Sequence, residues 1–279
     1  MTVLSFHPCF SGDRYIHSAG RSLTTDEKTA MNRASAVILP QACGRDLYEE
    51  ATRRCKNVFP DFATRFEYPG KIGQVRLFDG MGMAHPATFV FASVGEFARA
   101  GDTAIRSLGF PLVFKFDRSD EGRGVFLART RMELTGLIEK AGEWERTGQA
   151  GFILQEYVPF FHGVLRVAII YTQAIAYWRV ANTEKGFAVN IARGAAIDAC
   201  SHPDLRERGI AAVREACRKT GINLAGFDLI FPVDRPGEGP LFLEINYYFG
   251  RRGLGGSEHY YTLLTREIRK WLNDRNAAA

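Results

Sequence analysis

Near the end of the chain, three side chains that can donate oxygen have a spacing suited to gripping a metal ion. Asp228 lies in Gly226-Phe-Asp-Leu-Ile-Phe231, and Glu244 and Asn246 lie in Leu241-Phe-Leu-Glu-Ile-Asn246. The two apolar runs are separated by a loop containing Pro236-Gly237 and read as strands of a hairpin. Side chains alternate along a strand, so Phe242, Glu244 and Asn246 are expected on one face, with Leu241, Leu243 and Ile245 behind. A turn centred near Pro236 puts Asp228 directly opposite Glu244. Like charges facing each other across strands repel, and more so when buried. A cation is therefore expected between them, unless Asp228 is exposed or the register slips. Two carboxylates and an amide oxygen are hard donors that suit Mg2+, an ion that keeps waters and also binds substrate phosphates. A basic side chain would neutralise the pair as well, but none lies on these two strand faces.

Basic residues upstream add to this pattern. Lys115 interrupts the apolar run Leu112-Val-Phe-Lys-Phe116, where a charge either snorkels to water or meets an anion. The following loop, Asp117-Arg-Ser-Asp-Glu-Gly-Arg-Gly124, has backbone N–H groups that would cover phosphates, although Asp117, Asp120 and Glu121 oppose a simple anion cradle. Arg166, Arg179 and Arg193 come from the central strand region together with Asn190; if they converge, their forked donors suit phosphate or carboxylate. Neither Gly70-Lys71 nor Gly80-Met-Gly82 completes a known phosphate-loop fingerprint. No Ser/His/Asp or Cys/His arrangement can be assembled, and His162, His202 and His259 read as surface or core-edge residues.

The elements that must position these groups follow from periodicity. Thr2–Phe6 and Ala36–Leu39 read as strands and Asp26–Ala34 and Arg45–Lys56 as helices, while Val58–Gly70, with two prolines, reads as a connection. A helix follows from Lys71, with Ile72, Val75, Leu77 and Phe78 on one side. Ser93-Val-Gly-Glu96 and Thr130-Arg-Met-Glu133 fit the capping box and should open helices. Strands are expected at Leu112–Phe116, Val125–Ala128, Phe152–Glu156, Val164–Tyr171 and Ala174–Val180, the last two turning at Thr172-Gln173. Pro203–Lys219 reads as a helix closed by Gly221, followed by strands Leu224–Phe231 and Leu241–Ile245 and a last helix from Ser257. Long antiparallel stretches with helices laid against them mean an α+β fold.

Composition bounds the rest. With 279 residues, 46% hydrophobic and 24% charged, the chain is long enough to bury a core without disulfides or structural zinc. The net charge of +5 is mild, and no clustered basic run points to nucleic acid. No stretch approaches the ~20 apolar residues of a membrane span. Five cysteines with no C-x-x-C, and a start without a signal-peptide pattern, lead to an expectation of reduced thiols in the cytoplasm.

Taken in order, these pieces resemble ATP-grasp enzymes, most closely the RimK-like branch of carboxylate–amine ligases. The resemblance runs from about Lys71 to the final helix. It is carried by Lys71 at a helix head, Pro86-Ala-Thr88, Gly109-Phe-Pro-Leu-Val-Phe-Lys115, Glu121-Gly-Arg-Gly-Val125 and Leu154-Gln-Glu-Tyr-Val158. Arg166 within Leu165-Arg-Val-Ala168, Asn190-Ile-Ala-Arg-Gly194, Ala225-Gly-Phe-Asp228 and Leu243-Glu-Ile-Asn246 complete it. Residues 37–60 resemble the end of the small domain that precedes such modules.

The resemblance implies a short α/β N-terminal domain over residues 1–70, followed by two α+β subdomains, 71–157 and 158–279, gripping ATP between antiparallel sheets. It implies that Asp228, Glu244 and Asn246 hold two Mg2+ ions, with Mn2+ as a substitute, and that Lys71 and Lys115 meet the ATP phosphates. Gly122, Arg123 and Gly124 would close over those phosphates, and Gln155, Glu156, Tyr157 and Val158 would form the hinge beside adenine. Arg166, Arg179, Asn190 and Arg193 would line the γ-phosphate and acyl-phosphate position.

The implied reaction activates a small-molecule or peptide carboxylate as an acyl phosphate and joins it to an amine, releasing ADP. A kinase acting on a hydroxyl and a non-catalytic nucleotide-binding module are the alternatives. Neither membrane nor nucleic acid is expected as a partner, and relatives often assemble as homo-oligomers. The chain departs from its relatives at Val164, where an acid is common, and at Tyr247–Gly256, where a small residue and Pro-Gly are common; His7-Pro-Cys9 has no counterpart.

Overall fold

The computed structural model of the chain describes residues 2–18, 20–119, 124–180 and 195–277. Its N-terminal part runs β1 (Val3–Ser5), β2 (Arg14–Tyr15), α1 (Thr25–Arg33), β3 (Ala36–Ile38), α2 (Arg45–Arg54), β4 (Val58–Phe59) and α3 (Ala63–Glu67). The strands make a parallel sheet in the order β2-β1-β3-β4. Helix α1 starts where it does because of a reciprocal cap. The Glu27 N–H donates to Thr24 Oγ1 at 3.2 Å, and the Thr24 N–H donates to Glu27 Oε2 at 2.8 Å. The expected connection at Val58–Gly70 is instead ordered into β4 and α3. Its prolines bound elements rather than exclude them: Pro60 follows β4, and Pro69 is the residue before α4 (Gly70–Met81).

After α4 come β5 (Thr88–Phe91), α5 (Val94–Leu108), β6 (Leu112–Phe116), β7 (Val125–Ala128), α6 (Arg131–Arg146) and β8 (Phe152–Glu156). Ser93 and Thr130 cap α5 and α6 by accepting the N–H groups of Glu96 and Glu133. The two glutamates reach back to the N–H groups of Ala92 and Arg129, one residue beyond the expected partners Ser93 and Thr130. The strands form an antiparallel sheet, β5-β8-β6-β7. It has a core of its own, in which Phe114 stacks on Phe152 at 5.0 Å and Phe116 on Trp144 at 4.0 Å.

The C-terminal part contains β9 (Val164–Ile170), β10 (Gln173–Val180), β11 (Ala196–Asp198), α7 (Pro203–Thr220), β12 (Leu224–Ile230), β13 (Leu241–Asn246) and α8 (Gly256–Ala277). The five strands form an antiparallel sheet ordered β11-β10-β9-β12-β13. Gly221, at φ 75°, ends α7 in the left-handed conformation that glycine adopts without steric cost. Strands β2, β5 and β11 were not expected; the first and last are only two and three residues long, too short for a periodic signal.

The sheets on either side of the central one are packed together. On one side Leu4, Val37 and Tyr48 share a core with Val167, Val213 and Phe227. On the other, Ala36, Ile38 and Phe59 pack with Ala168, Leu224, Leu264 and Trp271. Gln41 ties the same halves together: its Nε2 donates to the Tyr247 carbonyl, and it accepts from the Tyr260 hydroxyl, both at 3.0 Å.

Within the β12–β13 hairpin, Asp228 pairs with Glu244 and Gly226 with Asn246, as a turn near Pro236 requires. The register then shifts between Asp228 and Leu229, so that Leu229 pairs with Phe242 and Leu243 is the extra residue. The bulge corrects the expected facing of Phe242. It does not share the Glu244 face but joins Phe227 and Ile245 in the core.

Candidate active site

Four side chains form a row across the C-terminal sheet. Tyr177 on β10 pairs with Arg166 on β9, Arg166 with Asp228 on β12, and Asp228 with Glu244 on β13. Arg166 and Asp228 are 5% and 4% exposed. The guanidinium donates twice, from Nε to Oδ1 at 2.5 Å and from Nη2 to Oδ2 at 2.9 Å. Arg179, two residues beyond Tyr177 on the same strand face, brings its Nη2 to 2.6 Å from Asp228 Oδ2. Asn246 Nδ2 donates to the same oxygen at 3.3 Å. The expectation that no basic group shares these faces is therefore overturned. It weighed the hairpin alone, whereas β9 lies against the other edge of β12 and supplies the cation.

The close approach needs a glycine next to it. A Cβ on Gly226 would stand 3.0 Å from Arg166 Cδ and Nη1. Burial pushes the Asp228 carboxyl upward, but the Arg166 and Arg179 guanidiniums outweigh it and hold its pKa below the usual carboxylate value. Burial likewise opposes the Arg166 charge, and Asp228 more than restores it. Both groups are therefore ionised in the interior, where such a pair is tolerated only with its hydrogen bonds made.

The opposing wall comes from α4 and β6. Lys71 and Lys115 are 7% and 8% exposed. Lys71 donates from Nζ to the Ser119 carbonyl at 2.6 Å and lies 3.8 Å from Glu244 Oε1. Burial pulls the Lys115 ammonium down to about 8, with Lys71 adding to the fall and Glu244 and Asp228 opposing it. Asp117, counted from the sequence against an anion cradle, points elsewhere. Its Oδ1 accepts the Ile72 N–H at 2.8 Å and its carbonyl accepts the Lys71 N–H at 3.2 Å, so it caps α4 and fixes Lys71. Gly70 permits that cap, because a Cβ there would lie 2.5 Å from Asp117 Oδ1.

The remaining expected residues are dispersed. Gly124 accepts the Phe116 N–H at 2.9 Å, while Gly122, Arg123, Asn190 and Arg193 lie outside the described residues. Gln155 is buried and donates to Thr88 Oγ1 at 2.9 Å. Glu156 accepts from Ala87 N–H at 3.3 Å and pairs with Arg235 at 3.2 Å. Tyr157 is half-buried, and Val158 packs with Val164, Ile230 and Leu241 where the chain passes from one sheet to the other. The cysteines are free, and the Cys217 thiol, packed at the core edge, is pushed up to about 12 by burial.

In this arrangement Lys71, Lys115, Arg166 and Arg179 face Asp228 and Glu244, and the surplus of positive charge suits a polyanion. Among the described residues no three His, Cys, Asp or Glu side chains cluster to hold a metal by themselves. A cation here would be held by two opposed carboxylates and the Asn246 amide oxygen, leaving positions for water and phosphate. That donor set fits Mg2+. Asp228 would have to exchange a guanidinium contact for the ion, since both of its oxygens are already engaged.

The model of the RimK-like ATP-grasp domain matches residues 87–263, well over half of the chain. The chain belongs to this family. Among curated relatives, beta-citrylglutamate synthase B of Danio rerio is 28% identical over 152 residues, 54% of this chain and 35% of that protein. The N-acetylaspartylglutamate synthase A of Homo sapiens is 27% identical over 156 residues, 56% and 38% respectively. A probable alpha-L-glutamate ligase of Halorhodospira halophila is 26% identical over 147 residues, 52% and 45%. The matches thus span less than half the length of these relatives.

Solved structures extend the likeness over nearly the whole chain. A RimK domain ATP-grasp protein from Sphaerobacter thermophilus has a TM-score of 0.66 at 14% identity, covering 96% of this chain and 99% of that one. D-alanine–D-alanine ligase from Bacillus anthracis, complexed with ATP, has a TM-score of 0.64 at 15% identity, covering 92% and 87%. The three-sheet α+β arrangement is the ATP-grasp fold.

Proposed function

We propose that this protein is an ATP- and Mg2+-dependent ligase that joins a carboxylate to an amine through an acyl phosphate. The observation that carries the reading is the row Arg166–Asp228–Glu244, its first two members buried and the third half-buried, faced by Lys71 of α4 and Lys115 of β6. A triphosphate entering between them gains the unbalanced lysines and arginines as partners, in surroundings where charge interactions are strong. Mg2+, bound by Asp228, Glu244 and Asn246, would neutralise charge on the phosphate oxygens. Residues 1–70, 71–157 and 158–279 are read as the N-terminal domain and the two gripping subdomains, with Gln155–Val158 as the hinge beside the base.

The chemistry asks for positioning rather than a protein nucleophile. The γ-phosphoryl group passes from ATP to a carboxylate oxygen, and ADP leaves. Arg166 and Arg179, anchored by Asp228, hold guanidinium N–H groups along the path of that transfer. Lys115, an ammonium below about pH 8, stabilises charge on the departing phosphates. The amine then attacks the acyl carbon, the C–N bond forms, the C–O bond to phosphate breaks, and the amine sheds a proton. No catalytic triad is needed.

Glutamate appears in the names of all three curated relatives cited above. It is therefore the first substrate to offer, both as the amine and as the carboxylate. Incubation with ATP, Mg2+ and pooled amino acids and carboxylates should release ADP, and hydroxylamine should trap a hydroxamate. Release of AMP and pyrophosphate, or ADP release with a phosphorylated alcohol and no hydroxamate, would refute the ligase reading.

A further inference from the structure

Strand β13 is the edge of its sheet, so alternate backbone groups along it have no strand to pair with. At Ile245, between Glu244 and Asn246, both outward groups are taken by one side chain. The Ile245 N–H donates to Gln74 Oε1 at 2.8 Å, and Gln74 Nε2 donates to the Ile245 carbonyl at 2.8 Å. The carboxamide thus imitates one residue of a neighbouring strand. Gln74 stands three residues after Lys71 on α4, a spacing that puts the two on one side of the helix. One helix therefore presents an ammonium to the Glu244 side chain and an amide to the very next peptide unit. Further along the same edge the Phe242 N–H donates to the Ala84 carbonyl at 2.8 Å, which holds the bulged part separately.

We infer that Gln74 is a positioning residue, which sets the backbone between Glu244 and Asn246 so that both side chains reach one cation, and locks that strand to the helix carrying Lys71. This rests on the proposed reading of Glu244 and Asn246 as metal ligands. Without the two amide bonds, the edge peptide is held by its pairing with β12 alone, and its flanking oxygens lose the precision of their common aim. Geometry of this kind tolerates errors of only about half an ångström.

The test is Mn2+ binding followed by electron paramagnetic resonance in the presence of a non-hydrolysable ATP analogue. It compares wild type, Gln74→Met (similar volume, no amide), Gln74→Asn (amide kept, one methylene short) and Glu244→Gln. Losing two hydrogen bonds should weaken Mn2+ binding about ten-fold in Gln74→Met. Metal-free nucleotide affinity should stay within about two-fold of wild type, because Lys71 and Lys115 remain. Hydrogen exchange at the Ile245 amide should accelerate in both Gln74 variants. Should Gln74→Met fail to fold, Gln74→Asn carries the same expectation. Wild-type Mn2+ affinity in the Gln74 variants, alongside its loss in Glu244→Gln, overturns the role of Gln74 alone. Wild-type affinity in Glu244→Gln overturns the metal reading, and the positioning role with it.

Discussion

Replacing Asp228 by asparagine keeps the shape of the side chain and removes the charge that two buried guanidiniums share. Arg166 places two donors on that carboxylate and Arg179 one, at 2.5 to 2.9 Å. At an effective dielectric near 20, each such pair attracts by about 4 kcal/mol at ~4 Å between charge centres, much of it offset by desolvation. What the variant exposes is the uncompensated part, because the guanidiniums stay in the interior without their anion. Breaking a buried pair from one side costs about 3–5 kcal/mol, a large share of the about 5–15 kcal/mol that stabilises a typical domain.

Urea unfolding read by tryptophan fluorescence is a suitable assay, since Trp178 is fully buried beside Arg179. Asp228→Leu combined with Arg166→Met should be less damaging than either change alone, because it removes both ends of the tightest pair. The pH dependence has a definite sign. The folded pKa of Asp228 is depressed, so its contribution is present above the unfolded carboxyl pKa and is lost as pH falls through the folded value. The Asn variant should therefore differ most from wild type near neutrality and converge with it in acid. A destabilisation under about 1 kcal/mol at pH 7, or a double variant worse than the sum of the singles, would show that the pair is solvated and would refute the argument.

Three further outcomes are expected. Glu244→Gln should nearly abolish ADP release while leaving the melting temperature near wild type, since Glu244 is half-buried and its ion pair with Lys71 is long at 3.8 Å; undiminished turnover would remove Glu244 from the metal site. Lys115→Met should weaken ATP binding about ten-fold or more in a fluorescent-nucleotide titration, and unaltered affinity would take Lys115 out of the phosphate site. His7 is buried, and burial together with Arg251 pulls its imidazole down to about 4. Its folded pKa lies below the unfolded value, so wild-type stability should fall as pH drops from about 6.5 to 4, by up to about 3 kcal/mol. His7→Gln should flatten that part of the stability curve, and an unchanged profile would refute the assignment.

What could be read in the sequence was whatever depends on local period and nearby turns. Leu112–Phe116, Val125–Ala128 and Phe152–Glu156 were placed to the residue, because apolar runs with clear flanks leave little choice. The pairing of Asp228 with Glu244 followed from the hairpin alone. Phe242 was misplaced because a bulge leaves no periodic trace: nothing in Leu241-Phe-Leu-Glu says that Leu243 is the extra residue. Arg166 was singled out but not joined to Asp228, since that contact needs the order of strands in the sheet, which is a property of the whole fold. Gln74 gave no signal, because a glutamine on a helix becomes informative only when a strand edge lies against it.

One face of the opening sheet, with Ala36, Ile38 and Phe59, is covered only by strands and helices that appear in the chain after residue 164, whereas the central sheet closes on itself. During synthesis that face must therefore stay bare until the closing helix has left the ribosome, while α1 and α2 already cover part of the other. The middle lobe can settle long before. A fragment ending at residue 157 should accordingly retain one cooperative unit and leave its first sixty residues sticky and prone to capture by chaperones, which makes assembly order a matter of connectivity rather than of stability.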